Sequence, residues 1–128
     1  MGCGRVGSLV ATQLLKEGHE VRIMDLSPES FLRIPPEYRD SIAFQGDGTV
    51  QDDLHQAGID DADVFIAVSS HDTQNALAAQ MARTLFNVER VICRMNDPAR
   101  QQMYESLGLE AVSPITYLTE SILNAVHR

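Results

Sequence analysis

Apolar positions along this chain alternate between two rhythms, one helical and one extended. Val6, Leu9, Val10 and Leu14 fall on a single stripe of a helix over residues 5–17, which Gly18 ends. Glu20-Val21-Arg22-Ile23-Met24-Asp25 then alternates polar and apolar side chains, the period of a strand. Ser27-Pro28-Glu29 opens and Pro35-Pro36 stops any following helix, so only a brief helical segment fits around residues 28–33. Ser41-Ile42-Ala43-Phe44-Gln45 reads as another strand, running into the turn Gly46-Asp47-Gly48-Thr49.

The alternation is regular thereafter. Residues 50–57 predict a short helix closed by Gly58, with Thr49 and Asp52 spaced as a capping box. Asp63-Val64-Phe65-Ile66-Ala67-Val68 is the clearest buried strand, and residues 72–86 place Leu77, Ala78, Met81, Ala82 and Leu85 on one helix face. Arg90-Val91-Ile92-Cys93-Arg94 is the next strand. Asp97-Pro98 supplies an N-cap and a first-turn proline for a helix ending near Gly108, and Ser113-Pro114 does the same for a terminal helix after the short strand Glu110-Ala111-Val112. Strands and helices alternating at these lengths imply parallel strands joined by right-handed crossovers: an α/β fold with a Rossmann-like, doubly wound parallel sheet. The chain carries no internal repeat, low-complexity tract or linker, so residues 1–128 read as one domain.

Composition narrows the function classes. One domain of 128 residues is too short for a nucleotide domain plus a conventional catalytic domain. A formal charge of -8, from 18 acids against 10 Lys and Arg, disfavours nucleic acid and anionic membrane surfaces as partners. Cys3 and Cys93 are isolated, which gives neither a disulfide framework nor a zinc site, and no metal ligands are assigned. No run approaches the roughly 20 apolar residues that span a bilayer, and no apolar signal segment opens the chain. A cytoplasmic location without direct membrane insertion is therefore expected.

The chemistry concentrates at glycines. Gly2-Cys3-Gly4-Arg5-Val6-Gly7 has the spacing of a dinucleotide-binding loop, with Asp25 lying 18 residues past Gly7 at a strand end. In this reading Gly2 permits the tight turn, Gly4 leaves room for a phosphate and Gly7 lets the helix pack close to the sheet. Arg5 and Val6 open the helix at the phosphates, and Asp25, followed by Leu26, accepts hydrogen bonds from ribose hydroxyls. A solvated arginine and a helix-capping aspartate are the plainer alternatives. Only Met1 precedes the motif, so the strand that normally leads into it is expected to be missing.

Further binding residues are placed by strand ends. Gly46, Asp47, Gly48 and Thr49 share the first motif's sheet edge; the glycines allow positive φ and close approach, and Asp47 can accept from an adenine amino group, although an ordinary turn looks much the same. Ser69 and Ser70 follow the clearest strand, at the carboxyl edge where open α/β sheets bind ligands. Asn75 and Arg94 complete that edge, Arg94 as a charge that requires an anionic partner or water; His71 beside them reads as a loop histidine. No His, Lys or Tyr constellation past residue 72 suits hydride transfer, so no catalytic residue is assigned and the protein is not read as an enzyme.

The run from Gly46-Asp47-Gly48-Thr49 through Ala57-Gly58-Ile59-Asp60-Asp61-Ala62-Asp63 and Ser69 to Arg94-Met95-Asn96-Asp97-Pro98 resembles the nucleotide-binding domain of the RCK/KTN (TrkA-N type) family. These are cytoplasmic regulators of potassium channels and of Trk/Ktr potassium transporters. The glycine motif, Asp25, Leu107-Gly108 and Ser113-Pro114 follow in the family's order, extending the resemblance over residues 2–128. It implies a domain that binds NAD(H) or ATP/ADP, dimerises, assembles into an octameric ring beneath a membrane potassium transporter or channel, and gates ion flux as ligands exchange. The glycine loop with Arg5 would then hold phosphates, Asp25 the ribose, the Asp47 turn the adenine side, and Ser69 with Arg94 the distal part of the ligand. Residues 114–128 resemble the family's crossover helix, which packs on a neighbouring subunit. Ile115, Leu118, Ile122 and Val126 form an apolar stripe consistent with that, unless this domain's own sheet covers them. The family's C-terminal ligand-sensing domain is expected to be absent. The competing reading is a cofactor-binding fragment of an NAD-dependent dehydrogenase.

Overall fold

The computed structural model describes the whole chain, residues 1–128. Helix α1 (Arg5–Lys16) starts inside the glycine motif and ends before Gly18, whose φ of 92° provides the left-handed stop that a side chain resists. Strand β1 (Ile23–Asp25), a 3-10 segment (Pro28–Arg33), helix α2 (Pro36–Ile42), strand β2 (Ala43–Gln45) and helix α3 (Gln51–Gln56) follow. A 3-10 turn (Ile59–Asp61) then leads into β3 (Val64–Ala67), α4 (Asp72–Thr84), β4 (Arg90–Arg94), α5 (Pro98–Glu105), β5 (Glu110–Val112) and α6 (Pro114–Val126).

Three local expectations are corrected. The brief helical segment ends ahead of Pro35 as expected, at Arg33, but Pro36 also starts a new helix, occupying the first turn of α2, where its missing N–H has no helical partner to lose. The helix then absorbs Ser41 and Ile42, so β2 is shorter than the alternating pattern suggested. Second, β1 is confined to its last three positions because Glu20 to Arg22 find no ladder partner. Third, the Thr49–Asp52 capping box does not form; α3 follows Val50 without a side-chain cap, and Asp53, not Asp52, turns back to accept from the Asp47 amide at 2.8 Å.

All strand pairs are parallel. β1 pairs with β2 in the register Met24 opposite Phe44, and β3, β4 and β5 pair in that order through Phe65–Val91 and Cys93–Ala111. The two ladders are joined only by Met1 and Gly2. The Met1 amino group donates to the Ile66 carbonyl at 2.8 Å, Val68 N–H donates to the Met1 carbonyl at 2.9 Å, and Gly2 N–H donates to the Met24 carbonyl at 2.9 Å. The strand position between β1 and β3 is thus held by two residues at its carboxyl end. Beneath them lies a small cavity of about 60 Å³ lined by Val10, Leu14, Val21, Ile23 and Ile66.

Adjacent residues of β1 face opposite cores, which is what double winding requires. Ile23 packs with Cys3, Ala11, Phe31, Ile34 and Ile42, whereas Met24 joins Leu54, Phe65, Ala78, Val91 and Met95 on the other side. Fully burying side chains such as Ile34 and Leu54 contributes roughly 1.5–3 kcal/mol each. Helix α6 stands apart: Ser113 caps it by accepting from Thr116 N–H, yet none of its residues is buried, so this domain's sheet does not cover the Ile115, Leu118, Ile122 and Val126 stripe.

Candidate functional site

The carboxyl ends of β1 to β4 and the glycine loop open onto one cleft of about 1050 Å³, ample for a nucleotide. Among the residues singled out from sequence, Gly2, Gly4, Arg5, Val6, Asp25, Leu26, Gly46, Asp47, Gly48, Ser69, Ser70 and Arg94 line it. Gly7, Thr49 and Asn75 do not; they act beneath the surface, as described below.

The glycine loop is shaped by steric necessity at two positions and by vacancy at a third. Gly2 adopts a φ of 103°, and a Cβ there would lie 2.7 Å from the Ser69 amide nitrogen. A Cβ on Gly7 would run into the Gly2 carbonyl oxygen, so only glycine lets α1 approach the loop this closely. A Cβ on Gly4 would meet nothing within 4 Å, leaving the space a phosphate would need. Gly4 is also the N-cap of α1 and His71 the N-cap of α4, and neither makes a side-chain capping bond. Both residues line the cleft, so the free amides and positive dipole ends of two helices stand at the same opening.

The Asp25 carboxylate is fixed by the backbone around it. Its Oδ2 accepts from Cys3 N–H at 2.8 Å and its Oδ1 from Ser27 N–H at 2.9 Å, tying the glycine loop to the 3-10 segment. Each oxygen keeps a second lone pair for a ribose hydroxyl. Ser27 Oγ donates to Glu29 at 2.9 Å, and Glu29 is held below the usual carboxylate range by its own amide and by that hydroxyl.

The second glycine turn works differently from the expectation. Neither Gly46 nor Gly48 has a positive φ; a Cβ on Gly48 would strike the Met1 side chain, and one on Gly46 would approach the Phe44 ring at 2.7 Å. Asp47 Oδ1 accepts from both the hydroxyl and the amide of Thr49, at 2.6 and 2.8 Å, which lowers its pKa. Thr49 therefore shapes the turn, while Asp47 is itself part of the cleft lining.

At the far wall, Arg94 Nε donates to Asn96 Oδ1 at 3.0 Å, and Ser69 Oγ donates to Asn75 Oδ1 at 2.6 Å. Asn75 is fully buried, so its expected contact with a ligand is corrected: it bonds the loop that lines the cleft. The ion pairs of the chain join His55 to Asp60, Arg90 to Glu110 and Arg100 to Asp97, which leaves Arg5, Arg33 and Arg94 without carboxylate partners around one cleft. Asp25, Glu29 and Asp47 line the same cleft, so three arginines balance three carboxylates there, whereas the chain as a whole carries a net charge of -8.

Sequence reasoning missed Glu29, Leu32 and Arg33 on the cleft wall. Their signal was available, since the segment following an acid-ended strand emerges at the same carboxyl edge. No group of His, Cys, Asp and Glu is arranged to hold a metal ion. Burial pushes the Cys93 thiol up to about 12, reinforced by the Asp72 charge, and raises that of Cys3 as well, so both behave as small core residues. No helix is long and apolar enough to cross a membrane.

Comparison with known proteins places this geometry. Residues 1–114 match the TrkA-N domain family. The Trk system potassium uptake protein TrkA of Streptomyces coelicolor is 42% identical over 123 residues, covering 96% of this chain and 55% of that protein; the chain thus spans about half the length of this curated relative. Among solved structures, the GsuK RCK domain superposes with a TM-score of 0.72 at 27% identity, over 88% of this chain and 24% of that one. GsuK bound to ADP superposes with a TM-score of 0.78 at 25% identity, over 94% of this chain and 31% of its own. The alternating parallel architecture, the glycine loop and the matched residues agree, and the chain belongs to the TrkA-N family of Rossmann-like domains.

Proposed function

We propose that this chain is a nucleotide-sensing regulatory domain that controls potassium uptake through a membrane transporter or channel subunit. The carrying observation is the cleft itself, where two uncapped helix ends and three arginines without carboxylate partners meet the backbone-held Asp25 carboxylate. Its ligand is NAD(H) or ATP/ADP; the relative solved with ADP and the uptake proteins among the relatives support this reading over a dehydrogenase fragment.

In this assignment the loop Gly2 to Gly7, with Arg5 and Val6, cradles the phosphates. Asp25 takes ribose hydroxyls beside Leu26, and the Gly46 to Thr49 turn meets the adenine side. Ser69, Ser70 and Arg94 meet the distal part of the ligand, with Asn75 behind them. Residues 1–128 act as one nucleotide-binding unit on the cytoplasmic side of the membrane, and residues 114–128 pair with a second copy, from which a ring is built.

A ligand gates only through its differential affinity for two conformations. A triphosphate puts more charge beside Arg94 than a diphosphate does, so Arg94 is the group that distinguishes them. Thermal shifts of wild type and Arg94→Ala with ATP, ADP, NAD+ and NADH test this. The variant is expected to lose the ATP-over-ADP preference; the same ligand ranking in both proteins would sink the assignment.

A further inference from the structure

β3 and β4 are laddered as far as the Ala67–Cys93 pair; past it β4 runs on through Arg94, opposite Val112 of β5, whereas Val68 bonds Met1 and the chain then leaves the sheet at Ser69. Something else must keep Ser69 and Arg94 in register at the mouth of the cleft. Asn75, in the first turns of α4, reaches back to both. Its Oδ1 accepts from Ser69 N–H at 2.9 Å and from Ser69 Oγ at 2.6 Å; its Nδ2 donates to the Ser69 carbonyl at 2.9 Å and to the Arg94 carbonyl at 3.0 Å. A primary amide offers two donors and two acceptor lone pairs, so every bond Asn75 can make is made inside the protein. The side chain is 0% exposed, and leaving any of these groups unpaired there would be costly.

A second clamp on the same helix end holds the outer part of the same loops. Asp72 accepts from the amides of Asn96 and Asp97 at 2.8 and 3.1 Å, and Asn96 Nδ2 donates to the Ser70 carbonyl at 3.3 Å. The Arg94 guanidinium is then steadied through Asn96 Oδ1.

We propose that Asn75 is a positioning residue for the distal half of the cleft, fixing Ser69 and Arg94 in one geometry for nucleotides that extend past the first phosphate. The proposal rests on the nucleotide-sensing reading above and refines it. A ligand that ends at the glycine loop, such as AMP, does not need this wall, whereas ATP and NADH reach it. Preorganisation of the wall therefore enters the affinity of the long ligands alone.

Titration calorimetry of wild type, Asn75→Ala and Asn75→Asp with AMP, ATP and NADH tests this, with melting temperatures recorded alongside. The aspartate variant keeps the shape and the Oδ1 acceptor but turns an oxygen toward the Ser69 and Arg94 carbonyls, so it breaks the donor half of the clamp; the melting temperatures and the AMP affinity of each variant separate loss of the wall from failure to fold. Both variants are expected to lose about tenfold in affinity for ATP and NADH, and less than about twofold for AMP. Equal losses for short and long ligands, or no loss for either, would overturn the positioning role while leaving nucleotide binding intact. Wild-type protein that binds none of the three would instead overturn the nucleotide-sensing reading and this inference with it.

Discussion

At the scale of single residues, the cleft depends on atoms that are absent as much as on atoms that are present. Gly7 contributes no contact to the cleft, yet the Gly2 carbonyl occupies the space its Cβ would take. That neighbour is backbone and has no rotamer to move. Gly7→Ala is therefore expected to lower stability by about 1–3 kcal/mol, as overpacking does, and to displace the loop. Denaturant unfolding measures the first effect and nucleotide-induced thermal stabilisation the second; a variant with unchanged stability would mean that the loop tolerates rearrangement. The spacing of the motif made Gly7's role legible from sequence. Asn75 was legible only as a polar residue near the correct sheet edge, because whether an amide faces the cleft or the loop behind it depends on where two non-adjacent loops converge. Arg33 was overlooked for a similar reason: a 3-10 segment has no apolar stripe to show which side chains turn toward the cleft.

At the scale of elements, helices with chemical punctuation were readable. Asp97 accepts from Ala99 N–H and Ser113 from Thr116 N–H, as their positions before Pro98 and Pro114 implied. α2 was not readable, because a proline pair signals a stop at one residue and a start at the next. The element with the largest physical consequence is the shortest one, the Met1-Gly2 bridge between the two ladders. Below it, the facing edges of β1 and β3 flank an apolar slot. With a free amine at Met1, burial presses that group's pKa down to about 6, opposed by the nearby Asp25 charge. The unfolded chain then binds more protons than the folded one between pH 6 and 8, so stability rises with pH across that window, by about 2–3 kcal/mol in all. Adding a short β-branched segment ahead of Met1 replaces the amine by an amide and offers the edges a partner. The expected outcome is a higher melting temperature and loss of this pH slope, both read by calorimetry at pH 6 and 8. An unchanged slope would show that the Met1 amine is not its source.

At the scale of the whole molecule, the imbalance lies at α6. The core of the domain closes without it, and Leu118, Ile122 and Val126 remain 62%, 55% and 70% exposed on a helix that buries none of its residues against the rest of the chain. A stripe of this length in a protein of net charge -8 favours self-association, since the apolar gain is local whereas the repulsion is spread over the surface and screened by salt. Leu118→Glu with Ile122→Glu places two charges on the stripe without touching either core. Sedimentation is expected to change from a dimer in the wild type to a monomer in the double variant, with the melting transition of the isolated domain no lower than the loss of association accounts for. Nucleotide-induced stabilisation should persist in the monomer, because every residue lining the cleft belongs to a segment ahead of α6. Were the wild type already monomeric at high micromolar concentration, α6 would need a different partner; were the monomer unable to bind nucleotide, the cleft would depend on the second copy and the two functions would be coupled more tightly than one chain's geometry requires.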